Sequence, residues 1–278
     1  MVYKMGTQAI RDFDLWEKHA PGMPEGETVK IHYYPAAEKR GDGCAVIFAG
    51  GAYAFRTAFE DDGYARFLND AGLDAFVVDY RVAPAKFPYP LLDARRAVRF
   101  VRANAEAFGL DPHKIAVMGS SAGGHLAALV STYRPKIDGE GEDELDRVDP
   151  TPDLQILCYP VIDLCPPYTH GGSADNLLGE GHSEELAASL TPSRIADEKT
   201  PRAFIWHTSS DPSVNVMNSY GYAAKLRELN IPLEMHIYPL GGHGLGLADE
   251  GDRAIPHVAD WSARLVEFLK LSEYLKKF

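Results

Sequence analysis

At 278 residues, 45% of them hydrophobic, the chain can bury one large core or two small ones. A formal net charge of −12 argues against the basic patch that a nucleic-acid partner needs, and it disfavours polyanionic substrates. Three widely spaced cysteines, Cys44, Cys158 and Cys165, with no C-x-x-C pair, read as reduced thiols rather than as a disulfide framework.

The chain starts Met1-Val-Tyr-Lys-Met-Gly6, with no apolar signal-peptide core, and no run nears membrane-spanning length. The expectation is a cytoplasmic protein with no membrane partner. Thr28–Tyr34 alternates as an antiparallel edge strand does. Cys44–Ala49 and Ala75–Tyr80 contain runs that are apolar on both faces, the mark of parallel strands covered by helices. Leu91, Ala94, Val98 and Val101 then step by three and four, a helical stripe. Arg95, Arg96, Arg99 and Arg102 read as the solvated faces of that helix, and Gly109 with Asp111-Pro112 as its stop. Lys114–Gly119 is a strand that leads through a tight turn into the helical run Leu126–Val130. Asp138–Asp146, rich in carboxylates, reads as a solvated loop, because its spacing is not that of an EF-hand.

Leu154–Tyr159 is the next strand. From Ile162 to Lys199 the alternation breaks into a segment rich in Pro, Gly, Ser and Asn. It falls between two sheet strands, which places it over the sheet edge, where α/β folds bind ligands. Ala203–His207 and Leu233–Tyr238 are further strands, with helices expected over Asn218–Glu228 and Val258–Leu271. Trp261, Leu265, Phe268 and Leu269 form the inward stripe of the last helix. Leu233–Tyr238 is a candidate edge for pairing into a homo-oligomer. With no repeat and no low-complexity linker, residues 1–278 read as a single α/β domain.

The chemistry centres on Gly119-x-Ser121-x-Gly123 between a strand and a helix, the nucleophile-elbow pattern. The glycines let strand and helix close on each other, and the strained turn lifts the Ser121 hydroxyl out of the sheet edge. A serine needs a base, and histidine is best matched to neutral pH. Of ten histidines, His243 has the best setting, a glycine-flanked loop directly after a strand. His207 is the second choice, and His125, one turn past the serine, reads as structural. Asp211, just past the strand Ala203–His207, is the candidate acid, giving the chain order Ser, Asp, His. A turn aspartate before proline explains it as well, and Asp163 is its rival. An oxyanion formed at the serine needs N–H donors. Ala122 offers one from the helix side, and Gly51 and Ala52 offer others from the glycine turn Ala49-Gly-Gly-Ala-Tyr53.

Taken together, Ala49-Gly-Gly-Ala-Tyr53, Asp79-Tyr-Arg-Val-Ala-Pro84, Gly119-Ser-Ser-Ala-Gly-Gly124, Cys158-Tyr-Pro-Val161, Asn176-Leu-Leu-Gly179 and Gly241-Gly-His-Gly-Leu-Gly-Leu247 resemble the hormone-sensitive-lipase-like branch of the α/β-hydrolase superfamily. Within it, the chain looks most like bacterial acetyl esterases and acetylxylan esterases, from about Lys30 to Leu269. The resemblance implies an α/β-hydrolase fold, with a mostly parallel sheet of about eight strands flanked by helices on both faces. It also implies a serine carboxylesterase acting on small acyl esters of sugars or oligosaccharides, without metal or organic cofactor. Ser121, Asp211 and His243 fall on the family's triad positions. Two departures stand out. The family's usual His-Gly-Gly-Gly is Ala49-Gly50-Gly51-Ala52 here, and the N-terminus is short and polar for a helical cap. Three other readings compete: an amidase such as an arylformamidase, a peptidase of the same fold, and a hydrolase-like binding protein with a dead site.

Overall fold

The structure, a computed structural model, describes residues 10–17, 19–138, 140 and 143–276. The opening Met1–Gly6 and part of the acidic segment Asp138–Asp146 lie outside the described residues. In chain order the elements begin with strands β1 (Arg11–Asp14), β2 (Lys30–Tyr34) and β3 (Cys44–Phe48). Helix α1 (Ala58–Ala71), strand β4 (Asp74–Val78), helices α2 (Tyr89–Ala103) and α3 (Ala105–Phe108), strand β5 (Ile115–Ser120) and helix α4 (Ser121–Thr132) follow. Next come strand β6 (Leu154–Cys158), short helices α5 (Gly171–Leu178), α6 (Glu184–Ser189) and α7 (Pro192–Ile195), and strand β7 (Arg202–Thr208). Helix α8 (Met217–Glu228), strand β8 (Leu233–Tyr238) and helix α9 (Pro256–Leu271) close the chain.

The eight strands form one sheet in the order β1-β2-β4-β3-β5-β6-β7-β8. β2 pairs antiparallel with both β1 and β4, and every other pairing is parallel. The alternation of strand side chains divides the interior in two. Val46, Phe48, Phe76, Val78, Ile115 and Val117 face one core, which includes Leu91 and Val98 of α2, Leu126 of α4 and Leu226 of α8. Ala45, Ile47, Ala75, Val77, Ala116 and Met118 face the other, with Tyr64 and Leu68 of α1 and Trp261 and Leu265 of α9. That double burial is why these strands read as continuously apolar runs.

The turn from β5 to α4 is closed by glycines with no room for a side chain. A Cβ on Gly119 would sit 2.1 Å from the Gly123 carbonyl oxygen, and one on Gly123 would sit 2.0 Å from that of Phe48. Both obstacles are backbone, so neither can move aside. Ser121 has φ of +52°, a left-handed conformation that costs a non-glycine residue about 1–3 kcal/mol.

Four features correct or refine the expectations. β1 is a real edge strand; at four residues, three of them charged, it carries little hydrophobic signal. The second helix breaks at Asn104, and α3 is a separate turn before the left-handed Gly109 at φ +66°. The segment 162–199, where the alternation breaks, contains three short helices. The arginine row is not solvated. Arg95, Arg96 and Arg99 are buried, because the acidic segment folds over α2. Arg99 reaches Glu140 at 2.7 Å, Arg96 reaches Asp143 at 2.5 Å and Asp146 at 3.2 Å, and Arg102 reaches Asp153 at 2.7 Å. Arg95, Arg96 and Arg99 are thus buried together with Glu140 and Asp146, while Asp138 and Glu144 stay exposed.

Candidate active site

Three segments meet at the carboxyl ends of the parallel strands. The elbow after β5 presents Ser121, the loop after β7 presents Asp211, and the glycine loop after β8 presents His243. The Ser121 hydroxyl lies 2.8 Å from His243 Nε2, and His243 Nδ1 lies 2.7 Å from Asp211 Oδ2. A ring nitrogen facing a carboxylate carries the proton, so Nδ1–H donates to Asp211 and Nε2 accepts from the serine. The imidazole is 20% exposed while the carboxylate is fully buried, so the ring is reachable from outside and the carboxylate is not.

The two oxygens of Asp211 face different partners. Oδ1 accepts the backbone N–H groups of Ser213 at 2.8 Å and Val214 at 2.9 Å, which is the turn role. Oδ2 faces His243 and also His207 Nε2 at 3.2 Å. Burial pushes the Asp211 carboxyl up, but the hydrogen bonds from His207 and His243 outweigh it and hold it well below the usual carboxylate range. His207, the second choice for base, is wholly buried behind Asp211. Its Nε2–H donates to Asp211 and to the Val214 carbonyl, and its Nδ1 accepts from Ser219 at 2.8 Å. Asp163 is outside the row and accepts from Ser193 at 2.7 Å. His125 is structural: Nε2–H donates to the Leu190 carbonyl at 2.9 Å, and Nδ1 accepts the Tyr53 hydroxyl at 2.7 Å. Burial lowers its pKa to about 4.

The glycine turn after β3 is pinned carbonyl by carbonyl. The Ala49 oxygen accepts from the Tyr80 hydroxyl at 2.6 Å and the Gly50 oxygen from Thr57 N–H at 3.1 Å. The Gly51 oxygen accepts from Ala54 and Phe55 N–H, and the Ala52 oxygen from the Asn176 side chain at 2.9 Å. In a trans peptide, C=O and N–H point opposite ways. Fixing the Gly50 and Gly51 carbonyls therefore fixes the direction of the Gly51 and Ala52 N–H groups. Those two amides have no hydrogen-bond acceptor among the described residues. The turn needs φ of +132° at Gly51, where a Cβ would meet the Phe55 oxygen at 2.2 Å. Ala52 and Tyr53 hold left-handed angles of +55° and +58° despite their side chains. The third candidate, Ala122 N–H, lies in the first turn of α4, where N–H groups have no partner within the helix.

A profile of the BD-FAE family matches residues 31–226. The chain belongs to the BD-FAE family. Among curated proteins, it is 34% identical over 211 residues to endo-1,4-beta-xylanase B of Butyrivibrio fibrisolvens, covering 74% of this chain and 33% of that protein. It is 31% identical over 203 residues to an acetylxylan esterase of Xylanibacter ruminicola, covering 71% and 40%. It thus spans a third to two fifths of the length of these relatives. An acetyl ester-xyloside bifunctional hydrolase of Caldicellulosiruptor lactoaceticus superposes with a TM-score of 0.88 at 38% identity, covering 95% of this chain and 97% of that one. The sheet and its flanking helices are those of the α/β-hydrolase fold.

Two residues of this BD-FAE chain lie at the heart of the candidate site without a role read from the sequence: Glu60, and Tyr159, which appears there only within the strand Leu154–Tyr159 and the motif Cys158-Tyr-Pro-Val161. Glu60, 2% exposed, accepts Gly50 N–H on Oε2 at 2.6 Å and the Tyr159 hydroxyl on Oε1 at 2.6 Å, and the Thr57 hydroxyl also donates to it. Tyr159, with φ of +37°, lays its ring edge-on to His243 at 5.2 Å between centroids. A signal for Glu60 was present. Thr57-Ala-Phe-Glu60 is a capping-box sequence. Here Thr57 makes no side-chain cap, and both side chains turn toward the glycine loop instead.

Proposed function

We propose that this BD-FAE member is a serine carboxylesterase that removes short acyl groups, acetyl foremost, from a sugar or oligosaccharide. The hydrogen-bonded row from Ser121 through His243 to Asp211, at 2.8 and 2.7 Å, carries the proposal. Ser121 Oγ attacks the ester carbonyl carbon as His243 Nε2 takes its proton. The carbonyl oxygen, now an oxyanion, is met by the N–H groups of Gly51, Ala52 and Ala122. His243, cationic and held by Asp211, gives the proton to the departing sugar oxygen as the C–O bond breaks. Water then attacks the acyl-serine by the same route, releasing the carboxylic acid and restoring the hydroxyl.

The polar surroundings support a sugar alcohol. His170, the N-cap of α5, is half-buried; burial and the charge of His243 lower its pKa. Ser173 donates to His170 Nδ1, at 3.2 Å from its backbone N–H and 2.9 Å from its hydroxyl, which leaves Nε2–H as the ring's donor. Phe55 of the oxyanion turn is 58% exposed, a flat apolar face beside the site. Residues 162–199 shape the pocket, since α5 touches the oxyanion turn through Asn176. The names of an acetylxylan esterase and an acetyl ester-xyloside hydrolase among the similar proteins point to the same substrate class. No described helix is long and apolar enough to cross a membrane.

Acetate release from acetylated xylo-oligosaccharides tests the proposal. Expected is release by the wild type and none by Ser121→Ala. Hydrolysis of an N-formyl arylamine or a dipeptide with no acetate release would reassign the chain as an amidase or a peptidase. Inertness towards all three would favour the binding-protein reading.

A further inference from the structure

Three hydrogen-bonded paths leave the buried Glu60 carboxylate, and each ends on a segment that carries a reacting group. The first is direct: Oε2 accepts Gly50 N–H at 2.6 Å, in the turn that presents the Gly51 and Ala52 amides. The second runs through Tyr159, whose hydroxyl donates to Oε1 at 2.6 Å and accepts Gly246 N–H at 2.9 Å, three residues past His243. The third passes from Tyr159 to the Tyr64 hydroxyl at 3.2 Å, and from there to the Ser120 hydroxyl at 2.8 Å, beside Ser121. The Thr57 hydroxyl also donates to Oε2, and Thr57 N–H holds the Gly50 carbonyl at 3.1 Å. Gly50 is thereby gripped at both its N–H and its C=O. It has no room for anything larger, since a Cβ there would sit 2.6 Å from Glu60 Oε2.

The chemistry of the residue suits this place. A carboxylate offers two oxygens with about four acceptor sites, so one side chain can take bonds from separate segments at once. An ordinary acidic residue in the first turn of a helix serves that helix and faces solvent. Glu60 does neither: it is buried, and its bonds reach to other loops.

We propose that Glu60 is a positioning residue that holds the oxyanion turn and the histidine loop in register around Ser121. This rests on the esterase reading. Glu60 touches no substrate, so its contribution falls on the transition state, when the oxyanion and the imidazolium must both be met. Ground-state binding is left almost as it was.

The test compares wild type, Glu60→Ala, Glu60→Gln and Tyr159→Phe on nitrophenyl acetate, with kcat and KM read separately. The rate at which a fluorophosphonate labels Ser121 is measured alongside. Glu60→Ala is expected to lower kcat by about 100-fold or more with KM within about threefold, and to slow labelling in parallel. Glu60→Gln should recover most of the loss, because its amide oxygen can still accept from Gly50 and its amino group can bond the Tyr159 hydroxyl. Tyr159→Phe, which cuts the paths to Gly246 and to Ser120 but leaves the direct bond to Gly50, should fall between. A cooperatively folded Glu60→Ala with kcat and labelling within about threefold of wild type overturns the proposal. If that variant does not fold, Tyr159→Phe and Glu60→Gln decide: both at wild-type rates overturn it as well. A wild type that is labelled but inert towards nitrophenyl acetate sinks the esterase reading alone, and the labelling rates then judge Glu60. A wild type that is neither labelled nor active sinks both.

Discussion

Ser121 is held in a left-handed conformation between two glycines that backbone contacts forbid from being anything else. Its proposed partners arrive from loops 90 and 122 positions further along the chain, by the separations 211 − 121 and 243 − 121. If the three act as one unit, Ser121→Ala should reduce kcat by about 10⁶-fold, and Asp211→Asn by about 10⁴-fold through the wrong imidazole tautomer. Stopped assays on nitrophenyl acetate check both. His125 gives a separate test by titration. Its native pKa of about 4 lies below the ordinary 6.5, so between those values the unfolded chain binds a proton that the native ring declines. Stability from this residue is full above pH 6.5 and falls as pH drops towards 4, by on the order of 3 kcal/mol. Asp61 has the opposite sign. Burial raises its pKa to about 7, so its ionisation weakens the fold as pH rises from 4 to 7. Comparing urea unfolding of wild type and His125→Gln cancels the Asp61 contribution. The difference should shrink as pH falls from 7 to 4.5, and a constant difference would contradict it. Residue types and strand-end placement made Ser121, His243 and Asp211 legible in the sequence. Glu60 and Tyr159 were not, because their meaning depends on which distant amide each meets.

Elements explain the rest of the site and the misreadings. The proposed oxyanion turn owes its shape to Tyr80 after β4, Glu60 on α1, Asn176 on α5, and His125 on α4 behind Tyr53. The departure at Ala52 is thus absorbed by a turn pinned at each carbonyl. Helix α2 shows how local pattern misleads. Its arginines look solvated by helical periodicity, and the carboxylates of Asp138–Asp146 look solvated by composition. Only long-range pairing, invisible to either window, buries Arg95, Arg96 and Arg99 with Glu140 and Asp146. Arg96 is 2% exposed, pairs with Asp143 and Asp146, donates to the Leu15 carbonyl at 2.7 Å and lies 4.6 Å from the centre of the Trp16 ring. Arg96→Ala removes one of the cations beside the buried Asp146 and leaves Arg99 at 3.5 Å, and should destabilise the protein by about 1–3 kcal/mol in denaturant melts. It should leave kcat per folded molecule unchanged, because α2 contributes nothing to the proposed chemistry.

For the whole molecule, the parallel sheet was readable because its strands are apolar on both faces, and the fold class followed. β1 escaped because a four-residue edge strand buries almost nothing. The short helices of 162–199 escaped because each is only four to eight residues long and Pro and Gly punctuate the segment, while their order comes from contacts with α4 and the glycine turn. Those contacts press the segment onto the sheet edge, and its polar, glycine-containing sequence favours a short acyl group under the proposed function. In a nitrophenyl ester series, kcat/KM should therefore be highest for acetyl and propionyl and fall towards decanoyl; a rise with chain length would contradict the proposed substrate class. The claim beneath all of this is that Ser121 is made nucleophilic by His243 and Asp211. Peptide mapping after fluorophosphonate treatment measures that most directly. One adduct is expected, on Ser121, lost in a folded His243→Ala variant; a folded wild type with no adduct, or with the label on another serine, would overturn that claim.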